Sequence, residues 1–153
     1  MVSDDLSAAE IVELLDLAPL PAEGGWYRRT HLDGHSAAIL YLMTPTAFSA
    51  MHGLTVTELW HHHGGAPATM LLLGSDGRIE EPVLGPDLRA GHQPQVVVPA
   101  GVHQGASTSG RWTLVGTTTS PPYDDSCFSL SAAPALAASW PRAATRIREL
   151  TRP

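Results

Sequence analysis

The sequence predicts a mainly β fold, a two-sheet jelly roll or small barrel, and three observations predict it. Short apolar runs recur along the chain, separated by turn signals drawn from 14 glycines and 13 prolines. Residues 57–63 alternate in the manner of a strand, with Glu58, Trp60 and His62 on one side and Leu59, His61 and His63 on the other. Helical periodicity is confined to the two ends.

Taken in order, Ser7 and Glu10 form a capping-box pattern, and Ile11, Leu14 and Leu15 follow at helical spacing. A short helix is expected over about 7–16, stopped by Pro19 and Pro21. Gly24-Gly25 permits a sharp bend before a strand over 26–30, in which Tyr27 can face a pocket and Arg29 fits a solvated edge. The apolar run 37–43 is a further strand. Residues 49–65 read as two short strands joined by a tight turn, a hairpin placing His52 and Glu58 on one inner wall. Strands follow at 68–73 and 78–80, separated by the turn Ser75-Asp76-Gly77, then at 95–98, 103–106, 112–118 and 128–130. The barrel therefore spans about 26–130. Beyond an Ala-rich stretch, Ala143, Ala144, Ile147 and Leu150 fit an amphipathic helix over 141–151, with Arg146, Arg148 and Arg152 towards its C-terminal end. One domain over 1–153 accounts for the chain.

Composition removes several function classes. The net charge is −6 and no basic run exists, so nucleic acid and anionic membranes are not expected partners. All nine basic residues are arginine, which excludes a lysine Schiff base and lysine-anchored pyridoxal phosphate. No phosphate-cradling Gly-rich loop is present, so no nucleotide cofactor is expected. Cys127 stands alone beside Phe128 and reads as packing. Without a signal peptide or an apolar stretch of spanning length, a cytoplasmic protein is the expectation.

The stretch 49–65 holds four of the eight histidines and the carboxylate of Glu58. It resembles the first motif of the cupin superfamily: Glu58 is followed, after six intervening residues, by Gly65, and His52 stands near the second histidine position, with Ala50 at the first. Gly91, Pro99 and Gly101 resemble the second motif, where the ligand position is Gln104 and His103 falls one residue early. EGGWYRRT (23–30), TELWHHHGG (57–65), LGPDLRAGHQPQVVVPAGVHQGA (84–106) and TLVGTTTSPPYDD (113–125) are similar, in order, to the cupin-5 family of single-domain cupins. That resemblance implies a cupin jelly-roll barrel, a pocket at its mouth and a homodimer. It departs from the family at Leu20-Pro21-Ala22-Glu23, where a histidine usually precedes the proline, and at His62 and His103, which replace aromatics.

Two chemistries fit these residues. One divalent metal ion would take His52, Glu58 and Gln104, a weak set because amide oxygens are poor ligands for transition metals; His62 or an inward-turned His103 would complete it. The metal-free reading, which is preferred, makes His52 and Glu58 an acid–base pair for isomerisation or epimerisation of a small polar metabolite such as a sugar or keto acid. His62 and His103 are further catalytic candidates, and Tyr27, Trp60, Gln104 and Tyr123 line the substrate site. His61 and His63 receive no role. The alternatives are a metal-dependent lyase or oxygenase and a non-enzymatic small-molecule-binding module.

Overall fold

The computed structural model describes residues 2–152. Its strands are β1 (Ala18–Pro19), β2 (Trp26–Leu32), β3 (Ala37–Met43), β4 (Ser49–Leu54), β5 (Thr57–Gly65), β6 (Ala68–Leu73), β7 (Ile79–Glu80), β8 (Val83–Leu84), β9 (Gln95–Val98), β10 (His103–Thr108), β11 (Thr113–Ser120) and β12 (Phe128–Leu130). Helix α1 (Ala8–Leu14) precedes them; α2 (Ala133–Ser139) and α3 (Ala144–Glu149) follow. One sheet has the order β1-β2-β3-β11-β5-β9 and the other β12-β4-β10-β6-β7, with β8 also on β6.

Alternation sorts each strand's side chains between a shared interior and an outer face. Tyr41, Met43, Trp60, Met70, Leu72, Val96, Val98 and Val115 fill the space between the sheets. Outside the first sheet, α1 lays Ile11 against Leu42, Trp112 and Leu114. Its predicted capping box is present: the Glu10 amide donates to Ser7 Oγ at 3.2 Å, and the Ser7 amide to the Glu10 carboxylate at 2.8 Å. Outside the second sheet, Met51, Leu71 and Leu73 are covered by Leu136, Ile147 and Leu150.

Three expectations are corrected. The helix expected over 141–151 is present as a 3₁₀ turn over Pro141–Ala143 leading into α3, but the Ala-rich segment before Trp140-Pro141, where no helix is expected, forms α2. The hairpin over 49–65 does not form: β4 and β5 belong to different sheets, and Thr55-Val56 carries the chain across. His52 and Glu58 consequently face each other between the sheets. The closed barrel is also absent, since no ladder joins the two sheets among the described residues. Their outer strands include the two-residue β1 and β7 and the proline-flanked β9, which offer little backbone to pair. Among the described residues, no helix is long and apolar enough to cross a membrane.

Candidate functional site

A cavity of about 830 Å³ opens where the inner side chains become polar. Tyr27 and Arg29 reach it from β2, His52 from β4, Glu58 from β5, and Thr117 and Thr119 from β11. Glu23, Tyr123, Asp125 and Phe128 also line it, with Asp16 and Arg28 among further charged groups and Leu20, Ile39 and Leu54 among its apolar ones.

His52 is 2 % exposed and its ring stacks on Phe128, with centroids 5.3 Å apart. Its Nδ1 lies 2.7 Å from the Ala50 carbonyl. A carbonyl only accepts, so Nδ1 carries the hydrogen and the neutral ring has its lone pair on Nε2. Nε2 is 4.0 Å from Glu23 Oε1, beyond hydrogen-bond reach. No side-chain nitrogen or oxygen among the described residues is both buried and unpaired, so Nε2 opens onto the cavity instead of packed protein. Glu23 Oε1 is itself held by the Ser49 hydroxyl at 2.6 Å.

Glu58 is held differently. Its Oε2 accepts from Gln104 Nε2 at 2.9 Å and from Trp60 Nε1 at 3.2 Å, while the same indole N–H donates to Gln104 Oε1 at 2.9 Å. The three side chains close a ring of hydrogen bonds between the sheets. Burial nevertheless pushes the Glu58 carboxyl above its usual range; a proton on His52 pulls it down, Glu23 pushes it up, and hydrogen bonds from Thr117 and Gln104 pull it down. The Tyr123 phenol is pushed up to about 12, by burial first and then by the charges of Asp125 and Glu23.

Of the predicted site residues, Tyr27, His52, Glu58 and Tyr123 meet in the cavity. Trp60 and Gln104 stand behind Glu58 and orient it. His62 and His103 lie outside the cavity. His62 shares the inner side of β5, but near the strand's far end, with Nε2 3.3 Å from the Ala66 carbonyl. His103 takes the opposite parity to Gln104, so it faces outward, with Nδ1 2.9 Å from Ser131 Oγ and its ring edge-on to Trp140. His61 pairs with Gln95, 3.2 Å away, and His63 covers Gly116 on the outer face. Glu23 and Ser49 were missed as site residues. The signal for Glu23 was the pair of glycines after it, both at positive φ, which turn the loop over the cavity.

The donors do not fit a metal ion. Gln104, the second-motif ligand position, uses its amide oxygen on Trp60 and its nitrogen on Glu58, which leaves only His52 Nε2 and the Glu58 carboxylate of the predicted set. Among the described residues, no three His, Cys, Asp or Glu side chains converge into a set that could hold one.

The family described as Cupin superfamily (DUF985) matches residues 9–131. Among solved structures, a Shewanella oneidensis protein is 29% identical with a TM-score of 0.89, over 97% of this chain and 99% of that one. A hypothetical protein from Leishmania major is 23% identical with a TM-score of 0.87, over 97% and 100% of the two chains. Oxalate decarboxylase from Bacillus subtilis shares the fold at 13% identity and a TM-score of 0.62, over 89% of this chain and 38% of that one. No curated protein matches the chain at significant similarity.

Proposed function

This chain belongs to the cupin-5 (DUF985) family of the cupin superfamily, and from that premise we propose that the cavity is a metal-free acid–base site that isomerises or epimerises a small polar carbonyl compound. The observation that carries the reading is the fixed tautomer of His52, which leaves one lone pair, on Nε2, facing the cavity. That nitrogen takes a proton from a carbon next to the substrate carbonyl; the electron pair of the broken C–H bond forms a carbon–carbon double bond, and the π pair of the carbonyl moves to its oxygen. Glu23, 4.0 Å away, stabilises the imidazolium that results. Glu58 is suited to the other half. Two N–H donors on Oε2 leave Oε1 to carry a proton, which burial favours and which the developing enolate oxygen can receive. With an α-hydroxyl on the substrate, return of the proton from His52 to the former carbonyl carbon, while the α-hydroxyl gives its proton to the Glu58 carboxylate, completes isomerisation. Return of the His52 proton to the original carbon, after the intermediate has turned its other face to Nε2 and Glu58 has taken back its own proton, completes epimerisation.

The lining narrows the substrate. The Glu23 carboxylate stands beside the base, so the reacting end of the molecule carries no negative charge, as in a hydroxy-aldehyde or hydroxy-ketone, while Arg28 and Arg29 on the same wall can face a negative group elsewhere on it. Tyr27 and Tyr123 offer aromatic faces for a sugar ring. The oxalate decarboxylase has Mn(II) centres, but the engaged amide of Gln104 in this chain favours the metal-free route.

Sugars and small keto compounds incubated with the protein in deuterium oxide, followed by proton NMR, test the reading. A substrate loses the signal of the hydrogen next to its carbonyl, and His52→Ala lowers that rate by about 10²–10⁴-fold while binding persists. A ligand that binds the cavity without exchange at any condition refutes the catalytic reading in favour of a binding module. Exchange that disappears on dialysis against a chelator refutes the metal-free one.

A further inference from the structure

Arg152 lies 129 residues from Glu23 in sequence and outside the family match, yet its guanidinium rests on the Glu23 loop. Nη2 donates to the Phe48 carbonyl at 3.0 Å and Nη1 to the Glu23 carbonyl at 3.4 Å. The guanidinium carbon sits 4.1 Å from the centre of the Phe48 ring. Gly24 has a φ of +96°, and a Cβ there would strike the same guanidinium. The segment that delivers Arg152 is anchored too, because the Leu150 carbonyl accepts from the Met51 amide of β4 at 2.8 Å.

The loop has further anchors. The Ala50 amide donates to the Glu23 carbonyl at 3.0 Å, and the Tyr41 hydroxyl to the Gly24 carbonyl at 2.6 Å. Arg152 differs from both in being charged, forked and supplied from beyond the sheets. Its two hydrogen bonds tie the backbone of Glu23 to that of Phe48, the residue before Ser49, whose hydroxyl sets the Glu23 carboxylate.

We infer that Arg152 is a positioning residue: it clamps the Glu23 loop to the start of β4 and so fixes the Glu23 carboxylate opposite His52 Nε2. The inference rests on the cavity being the His52 site, but not on the reaction assigned to it. A residue that merely stabilised the fold would lower the melting temperature and leave the surroundings of His52 unchanged.

The test uses the full chain labelled with nitrogen-15. Long-range proton–nitrogen spectra at one fixed pH report the His52 ring nitrogens in wild type, Arg152→Ala, Glu23→Gln and the double variant, with a melting temperature for each. Arg152→Ala should move the Nε2 resonance in the same direction as Glu23→Gln. The double variant should move it no further than Glu23→Gln alone, because the clamp acts through the carboxylate already removed. Methylguanidinium added to Arg152→Ala should return the resonance towards wild type. A wild-type His52 spectrum in Arg152→Ala, whatever its melting temperature, overturns the inference, as does a double variant showing the sum of the single shifts. If Arg152→Ala does not fold, Arg152→Lys replaces it: one ammonium in place of the fork should give a smaller shift of the same sign, and an unmoved spectrum again overturns the inference. Failure of the proposed reaction would show as wild-type protein without substrate exchange and would leave these spectra as they are.

Discussion

Replacing Glu58 by glutamine tests whether burial or its charged neighbours govern this carboxyl. Glu58 is 7 % exposed, and burial outweighs the pull of His52 and of the Thr117 and Gln104 hydrogen bonds, so its folded pKa lies above 4.5. The folded protein therefore keeps a proton that the unfolded chain releases. Stability from this group is complete below pH 4.5 and is lost as pH rises through the folded value. One retained proton gives a slope of at most about 1.4 kcal/mol per pH unit within that window. Glutamine keeps an acceptor oxygen for Trp60 and Gln104 and cannot ionise. The stability of Glu58→Gln relative to wild type should consequently rise with pH above 4.5 and level off once wild type has ionised. Urea unfolding of both proteins in steps from about pH 4 to pH 8 reads this as a growing difference in midpoint at unchanged m. A difference that stays flat, or falls with pH, would show that His52 holds Glu58 as a carboxylate and would remove it as the proton donor to an enolate.

Two further substitutions probe what holds the site. Gly25 has a φ of +81°, and a Cβ there would lie 2.6 Å from the Tyr41 hydroxyl and 2.7 Å from its ring. Gly25→Ala should cost about 3 kcal/mol from backbone strain and overpacking together, a fall of about 6–12 °C in melting temperature for a domain of this size; an unchanged melting curve would show that the loop is not seated on Tyr41. Trp60→Phe keeps an apolar ring beside Tyr41 but removes the N–H shared by Gln104 and Glu58. Leaving Gln104 Oε1 without its donor should cost about 1–3 kcal/mol in chemical unfolding; a neutral result would mean that water replaces the indole.

Strand content was legible because local chemistry decides it. The runs 37–43, 68–73 and 128–130 form strands with those bounds, each an apolar segment closed by turn residues or by a change of composition. Parity along 57–63 placed Glu58 and Trp60 inside and His61 and His63 outside. Sheet membership was not legible. Thr55-Val56 has the length of a hairpin turn, and only the packing of whole sheets decides that it crosses between them. The same limit hid Glu23: a loop residue meets His52 through glycine geometry and a clamp from Arg152, and no spacing in the chain encodes that meeting. His103 shows the opposite case, in which parity was sufficient, since an inward Gln104 already requires its neighbour to face outward.

The contrast between Glu58 and His52 separates support from chemistry in this cavity. Gln104 and Trp60 occupy buried, polar positions, and each spends its hydrogen-bonding groups on the ring around Glu58 Oε2. Such a closed network rigidifies a site and leaves little capacity for a ligand. His52 is as deeply buried and is tied down at Nδ1, but its other nitrogen faces a carboxylate too distant to bond it directly. Leaving that nitrogen open in a polar, enclosed space carries a desolvation cost that the fold does not recover internally. A substrate hydrogen or a water can recover it. This is why the proposed reaction places its base at Nε2 and not at the other histidines of the chain, and why substitutions at Glu23 or Arg152 are expected to act on the cavity through the geometry around that one atom.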